Sequence, residues 1–166
     1  MSEIFTPQNG DDFSDERPRL VLDTNTVLAL WMFRDPALKA LRQAIEAGTL
    51  KLLCREDALA ELHNVLAYTR FALADEARHA LEAHYLALTA NSASASRRAS
   101  ENLLLPDCRD SDDQKFLEIA GALGATHLLT RDKALLRLAR HRLVRGRFHI
   151  LTPEHFQAEK RPHTPH

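Results

Sequence analysis

Six acidic residues of this chain have the type and spacing that a catalytic site could use. They are Asp23, Glu61, Asp110, Asp112, Asp113 and Asp132. Carboxylates that converge repel one another, and each raises the pKa of its neighbours unless a cation offsets the charge. An all-oxygen cluster suits a hard divalent ion such as Mg²⁺ or Mn²⁺, which activates water and stabilises charge on phosphoryl oxygens. If these acids meet in space, the chemistry they predict is metal-assisted hydrolysis of a phosphodiester bond.

Short apolar runs alternate with amphipathic stretches, and this pattern predicts the elements that position the acids. The runs that are typical of strands cover residues 20–22, 50–54, 102–106, 126–130 and 148–151. Helical periodicity is predicted over 36–48, 56–68, 75–90 and 116–123, with a basic helix after residue 132 and a short helix after 152. Alternating strands and helices favour a parallel sheet with helices on both faces. The predicted fold is a three-layer α/β/α sandwich with a central, mostly parallel sheet of about five strands.

The candidate acids are expected at one edge of that sheet. Asp23 follows the first predicted strand and Asp132 follows the fourth. In open α/β sheets, ligands bind beside the carboxyl ends of the strands. The aspartates of 110–113 begin the helix after the third strand, which places them on the same edge. Glu61 lies at the border of the inward face of helix 56–68, from where its side chain can reach the edge.

Each acid also has an ordinary structural explanation. Asp23 could satisfy backbone donors in a turn, and Asp132 could cap the helix that follows it. Residues 111–114 fit a capping box, in which the helix dipole favours acids. Glu61 could be a solvated residue on the flank of its helix. Together, these explanations do not predict acids from four separate segments at the same sheet edge.

The composition bounds the class of protein. With 166 residues, 45% of them hydrophobic and 27% charged, the chain fits one folded domain with a full core. We predict this domain over residues 18–158, with a disordered acidic leader over 1–17 and a polar tail over 159–166. No apolar run approaches the ~20 residues of a membrane-spanning helix, so we predict no association with membranes.

The cysteine and histidine residues predict neither disulfides nor zinc. Cys54 and Cys108 have no metal-type spacing, and we expect both to be reduced in a cytoplasmic protein. The nine His residues form no H-x-H or H-x-x-x-H pair. A histidine-ligated zinc site is therefore not expected.

Basic residues flank and follow Asp132, the last of the six candidate acids. Seven Lys or Arg residues lie between residues 131 and 147, against the single carboxylate of Asp132. Such residues give non-specific affinity for a phosphate backbone, and the candidates for binding RNA are Arg131, Lys133, Arg137 and Arg140. A solvated helix face or a surface for an acidic partner explains the same charges about equally well. Aromatic residues make up only 6% of the chain, and no aromatic RNA-binding motif predicts a module that reads bases.

Several segments, in order, resemble PIN-domain nucleases, and more narrowly the bacterial PIN proteins regarded as toxin components of toxin–antitoxin systems. The matching segments are LDTN at 22–25, AEL at 60–62, CRDSDDQKFLEIA at 108–120, LLTRDK at 128–133 and ILTPE at 150–154. The likeness runs from about residue 19 to 156. Ser111 stands where this subgroup commonly has proline, and Thr26 where an aliphatic residue is usual. Neither difference removes an acid.

The resemblance implies an α/β/α fold and a metal-dependent ribonuclease site of four acids that binds Mg²⁺ or Mn²⁺. By position, the four acids are Asp23, Glu61, Asp113 and Asp132. Asp110 and Asp112 remain alternates for Asp113, because helical spacing does not separate them. Asn25 and Thr130 match polar residues that orient the acids in this family. The resemblance also implies an RNA substrate, a small antitoxin protein that occludes the site, and a homodimer.

The leading hypothesis is a metal-dependent endoribonuclease that is the toxin component of a toxin–antitoxin system. A metal-dependent phosphatase of the haloacid dehalogenase type also begins with an Asp after a strand. It needs a second Asp two residues later, where this chain has Asn25. A non-catalytic PIN-like protein that binds RNA or serves as a scaffold would not need the acids, all of which are present.

Overall fold

A parallel sheet of four strands lies at the centre of the computed structural model, which describes residues 16–89 and 104–160. The strands are β1 (Arg19–Leu22), β2 (Lys51–Leu52), β3 (His127–Leu129) and β4 (His149–Leu151). Their order across the sheet is β2-β1-β3-β4, and every neighbouring pair is parallel. The apolar residues of β1 and β3 are buried, as expected for central strands covered on both faces. The predicted α/β fold with a parallel sheet is confirmed.

The prediction of a strand over 102–106 is wrong for the part of it that the structure describes. Leu104, Leu105 and Pro106 belong to no strand, and residues 102 and 103 lie outside the described residues. Leu104 is 72% exposed, whereas Leu105 packs against the core and Pro106 is buried, so this run reaches the core without forming a strand. Short apolar runs alone do not distinguish a buried strand from an irregular segment. The predicted leader, apart from residues 16 and 17, and the tail from residue 161 onward also lie outside the described residues.

Helices cover both faces of the sheet. In chain order they are α1 (Thr24–Val27), α2 (Lys39–Glu46), α3 (Glu56–Leu66), α4 (Asp75–Thr89), α5 (Gln114–Ala122), α6 (Lys133–Leu136) and α7 (Pro153–Glu159). A π-helical turn over Leu28–Met32 continues α1, and 3₁₀ turns cover Pro36–Leu38, Thr69–Phe71, Ser111–Asp113 and Arg137–Arg140. Within the described ranges, no helix has the length and apolar character needed to span a membrane.

The basic helix predicted after residue 132 is shorter than expected. It consists of the four residues of α6, followed by the 3₁₀ turn over Arg137–Arg140. Leu135 is its only fully buried residue. Because most of a helix's stability in a protein comes from packing an apolar face, so little burial does not sustain a longer α-helix.

The layers follow from the strand order. The helix α5 packs on β1 and β3, α4 contacts β2, and α2 packs against α7. The chain moves one way across the sheet from β1 to β2 and the opposite way from β2 to β3. Since crossovers between parallel strands are right-handed, these two connections lie on opposite faces. The three-layer arrangement follows from that rule.

The strand order also places a crevice beside the first acid. β2 lies on one side of β1 and β3 lies on the other, so the direction of winding reverses at β1. In open α/β sheets, ligands bind in the crevice at this reversal, beyond the carboxyl ends of the strands. Leu22 lies opposite Leu129 in the sheet, and the Asp23 N–H donates to the Leu129 carbonyl at 3.4 Å. The residues that follow β1 and β3 therefore share one site.

Candidate active site

Three of the candidate acids line one cavity at the carboxyl edge of the sheet. The cavity has a volume of about 210 Å³ and is lined by Asp23, Thr24, Asn25, Glu61, Val65, Tyr68, Arg70, Asp113 and Phe116. The acids come from the start of α1, the middle of α3 and the 3₁₀ turn that precedes α5. Three chain segments that are far apart in sequence thus bring carboxylates into one small space.

Asp23 is the most buried of these acids and has the most fixed position. Its side chain is 4% exposed. Oδ1 accepts a hydrogen bond from the Thr26 N–H at 2.9 Å, which caps α1, and Oδ2 accepts one from the Thr130 hydroxyl at 2.5 Å. Burial raises the pKa of Asp23, although these hydrogen bonds act in the opposite direction. Asp23 is therefore both a helix cap and a rigid carboxylate that a cation would stabilise.

Thr130 connects Asp23 with the last candidate acid. It is fully buried, and its hydroxyl donates to Asp23 while accepting a hydrogen bond from the Asp132 N–H at 2.9 Å. Asp132 caps α6, because its Oδ1 accepts from the Ala134 and Leu135 N–H groups at 2.8 and 3.2 Å. The side chain of Asp132 does not line the cavity, but its charge raises the pKa of Asp23 and of Asp113. One hydroxyl thus fixes two acids from neighbouring strands.

Glu61 reaches the cavity from α3, and two side chains hold its carboxylate. Oε1 accepts from Lys115 Nζ at 2.8 Å, and Oε2 accepts from the Thr24 hydroxyl. Neither Lys115 nor Thr24 was among the site residues predicted from the sequence. Lys115 lies two residues after Asp113, and a cation directly after an acidic run is the signal that could have identified it.

A buried ion pair fixes the two helices that carry Glu61 and Lys115. Arg55 precedes α3 and is 6% exposed. Its guanidinium contacts Asp57 at 2.7 Å and Glu118 of α5 at 3.0 Å. Arg55 holds the pKa of Asp57 below its usual value. Arg55 therefore ties the start of α3 to α5, the two helices that carry Glu61 and Lys115.

The structure separates the three aspartates that begin the α5 segment. Asp113 is half-buried and lines the cavity with Asp23 and Glu61, whereas Asp112 is exposed and lies outside it. Asp110 is exposed and caps the 3₁₀ turn by accepting from the Asp112 N–H at 3.0 Å. Burial, and then the charges of Asp132, Asp110, Asp23 and Glu61, raise the pKa of Asp113 to about 6. Of the three, Asp113 is the one that meets the other acids.

The capping box considered for residues 111–114 is not formed. Asp110 rather than Ser111 is the cap, and the Gln114 side chain turns back to the preceding loop. There it accepts from the Cys108 N–H at 2.6 Å and donates to the Pro106 carbonyl at 3.1 Å. Gln114 therefore fixes the loop that leads into the acidic turn.

Asn25 does not support Asp23 in the way the sequence predicted. It is exposed and lines the cavity, but across the described residues its side chain makes no hydrogen bond to Asp23. The Thr26 N–H and the Thr130 hydroxyl take that role. The reason is local geometry, because a capping side chain bonds the N–H two or three residues further on, and that N–H belongs to Thr26.

The basic candidates for binding RNA fall into two groups. Arg131 forms ion pairs with Asp35, at 2.9 Å, and with Glu154. Its guanidinium therefore holds the loop after β3 to α7. Lys133, Arg137 and Arg140 are exposed, and in the part of the chain that the structure describes they form no salt bridge. These three are the better placed for contacts with phosphate.

The carboxylate oxygens of this site are the type of ligand that a hard divalent cation prefers, although they do not converge on one point. Within residues 16–89 and 104–160, no three His, Cys, Asp or Glu side chains lie close enough to hold a metal ion. The cavity nevertheless has carboxylate oxygens from Asp23, Glu61 and Asp113. Mg²⁺ usually contacts only one or two carboxylates and keeps several waters, so such a cavity suits it without three converged ligands.

The raised pKa of Asp113 predicts that its ionised carboxylate lowers the free energy of unfolding, to an extent that depends on pH. Its pKa is 3.8 in an ordinary environment and about 6 here, so the destabilisation is absent below about pH 4 and complete above pH 6. In EDTA at pH 7.5, Asp113→Asn should raise the free energy of unfolding by roughly 1 kcal/mol after allowance for solvent screening, or about 2–4 °C in Tm. At pH 4 the gain should vanish. Thermal melts at both pH values test this, with Asp112→Asn as the matched control, and equal Tm differences at the two pH values would contradict it.

Comparisons with known proteins give evidence about this site that does not depend on the geometry described above. A family model described as a PIN domain matches residues 19–134, which is more than half of the chain. The matched range runs from β1 into α6 and contains Asp23, Glu61, Asp113 and Asp132. A search of curated proteins found no matching relative.

Proposed function

Because the chain belongs to the PIN-domain family, whose members are generally nucleases that use divalent metals, we propose that it is a Mg²⁺- or Mn²⁺-dependent endoribonuclease. The observation that carries this proposal is the cavity at the strand reversal. Asp23, Glu61 and Asp113 line it together, and the charge of Asp132 acts on two of them.

The side chains of the cavity have distinct tasks in this function. Asp23, fixed by Thr26 and Thr130, and Asp113 would hold the metal, with Glu61 and Asp132 adding negative charge around it. When bound, the metal activates a water and stabilises charge on the phosphoryl oxygens. The half-buried positions of Glu61 and Asp113 limit access of bulk water, which strengthens the electrostatic interactions of the site.

RNA is the proposed substrate because exposed cations lie directly beyond the last acid. Lys133, Arg137 and Arg140 follow Asp132 in the chain and are free of salt bridges among the described residues. Contacts from such side chains to phosphates give affinity that does not depend on base sequence. We assign them to the RNA backbone on either side of the scissile bond.

The proposed function is tested by cleavage of single-stranded RNA. We expect the purified protein to cut it with Mn²⁺ or Mg²⁺, to stop in EDTA and to resume when excess Mg²⁺ is restored. Restoration is the control, because a contaminating ribonuclease that works without metal would not respond to EDTA. Binding of RNA without cleavage under every metal condition would contradict the proposal and favour a scaffold.

We further propose that the nuclease is the toxin of a toxin–antitoxin pair, acts as a homodimer and is inhibited by a small antitoxin. The support for these partners is the resemblance of the segments at 22–25, 108–120 and 128–133 to bacterial toxins of this family. Expression should slow growth, and co-expression of a neighbouring small open reading frame should reverse the effect. Normal growth with both the wild type and an inactive variant would contradict the toxin role.

A further inference from the structure

An aromatic cluster with a cation against two of its rings borders the acidic cavity. We define it as Phe33, Tyr68, Arg70 and Phe71. Tyr68 and Arg70 also line the cavity that contains Asp23, Glu61 and Asp113. Phe33 is 63% exposed and Tyr68 is 47% exposed, which is unusual for rings of this size. The surface that leads out of the cavity is therefore aromatic.

The rings and the guanidinium form one arrangement. The rings of Tyr68 and Phe71 are nearly parallel, with centroids 6.2 Å apart, and Phe33 and Phe71 form a T-shaped pair with centroids 6.0 Å apart. The Cζ atom of Arg70 lies 5.2 Å from the centroid of Tyr68 and 5.0 Å from that of Phe71. These are cation–π distances, so the two rings hold the guanidinium in place.

Arg70 lies beside acids without forming an ion pair with them. In residues 16–89 and 104–160, it has no carboxylate within salt-bridge distance. A guanidinium that is held by rings and keeps its donors available suits a phosphate, which it can bind through two hydrogen bonds. Tyr68 is 47% exposed, and the accessible part of its ring suits an unpaired base, since every base has a π-face on which an aromatic ring can stack.

We propose that the aromatic cluster binds one nucleotide of a single-stranded nucleic acid next to the scissile phosphate. Arg70 contacts the phosphate of that nucleotide, and the ring of Tyr68 stacks on its base. In a duplex the base faces are covered by their neighbours, so the cluster selects single strands. The inference rests on the proposed function, from which it takes the position of the scissile phosphate.

A nucleic acid explains the cluster better than a protein segment does. A groove for an apolar segment would not need a charge against its rings, whereas a nucleotide needs both a flat face and a cation. The cluster also continues into a carboxylate cavity whose proposed task is chemistry on phosphate. One strand crossing both regions would use every one of these features.

Binding in EDTA, where no cleavage is expected, tests the inference. The probes are a labelled 12-nucleotide single-stranded RNA, the same strand in a duplex, and the same strand with abasic positions, measured by fluorescence anisotropy. Tyr68→Ala should weaken binding of the single strand by roughly tenfold, the effect of removing one base–aromatic stack. Binding of the abasic strand should weaken much less, because that strand has no base to stack and loses only the support that the Tyr68 ring gives to the Arg70 guanidinium. Tyr68→Phe should bind like the wild type, because stacking does not need the hydroxyl.

The matched control is Leu86→Ala. Leu86 is 49% exposed, close to the 47% of Tyr68, and lies on α4 outside the cavity, so it should bind as the wild type does. Arg70→Gln should weaken binding of intact and abasic strands alike, because the phosphate contact does not involve the base.

Two results would overturn the inference. The first is an equal affinity of Tyr68→Ala and the wild type for the single strand, which a surface for a protein partner would give. The second is the absence of binding of any probe to the wild type. Because the assay contains no metal, it is independent of cleavage. Failure of cleavage with loss of affinity in Tyr68→Ala would overturn the nuclease assignment and leave the nucleotide site in place.

Discussion

Asp23→Asn is expected to abolish metal-dependent cleavage of RNA, with a loss on the order of 10³-fold in rate. Asp23 is the most buried acid of the cavity, and the negative charge of Asp132 already acts on it. Replacing one carboxylate oxygen by an amide removes the charge that would attract and hold the cation. Because the other acids come from separate segments, none of them can move into the position of Asp23.

The fold should survive this substitution. The asparagine carbonyl can still accept from the Thr26 N–H and cap α1. Its amide can donate to the Thr130 hydroxyl, which has a second lone pair beside the one that accepts from Asp132. Removing a buried charge also removes its desolvation cost. Circular dichroism and Tm should therefore match the wild type or exceed it.

Single-turnover rates with Mn²⁺, measured for the wild type, Asp23→Asn and Asp132→Asn, check this prediction. Asp132→Asn should also lose activity, although its Oδ1 cap of α6 can be kept by the amide oxygen. Leu86→Ala, far from the cavity, serves as the control for handling of the protein. If Asp23→Asn and Asp132→Asn cut RNA at wild-type rates, the acids of this cavity are not the catalytic site.

The sequence was sufficient for the fold class and for the edge where the acids lie. The apolar residues of β1 and β3 are buried, and continuous apolar runs of this kind are typical of the central strands of a parallel sheet. Asp23 directly follows the first run, and Thr130, which donates to Asp23, directly follows the second. Helical periodicity placed α3 and α4 within two residues of their ends, because both helices bury one face.

Periodicity could not show which residues of a polar run turn inward. Asp112 and Asp113 lie in a 3₁₀ turn that Asp110 caps, and none of the three lies in the α-helix, so helical spacing does not order them. Leu104 and Leu105 have the composition of a strand but no neighbour to pair with in the described structure. In both cases tertiary packing decides, and a single sequence contains no direct signal of it.

The aromatic cluster was missed for a related reason. Its four members are divided between the turn after α1 and the turn after α3, and the low share of aromatic residues argued against a site for bases. Composition counts rings over the whole chain, whereas binding depends on where they meet. No sequence motif indicated a role for Arg70 either, because its partners are the rings of Tyr68 and Phe71 rather than a carboxylate.

Asp113→Asn should lower the cleavage rate by about two orders of magnitude, whereas Asp112→Asn should stay within about twofold of the wild type. The two residues are neighbours of the same type on one 3₁₀ turn, so they form a closely matched pair. Only Asp113 lines the cavity, and burial together with the charges of other acids raises its pKa to about 6. Asp112 is exposed and interacts with its own turn.

The same rate measurements, repeated over a range of Mg²⁺ concentrations, distinguish loss of a metal ligand from unfolding as the cause of a lower rate. If Asp113 holds the metal, its asparagine variant should need more Mg²⁺ for half-maximal rate, while its Tm in EDTA rises as the repulsion among the acids is relieved. Asp110→Asn should keep the cap of the turn, since asparagine is an equally good cap, and should lose little activity. A full loss in Asp112→Asn with normal rates in Asp113→Asn would reverse the assignment. It would also mean that the turn rearranges on metal binding, because Asp112 lies outside the cavity in the structure.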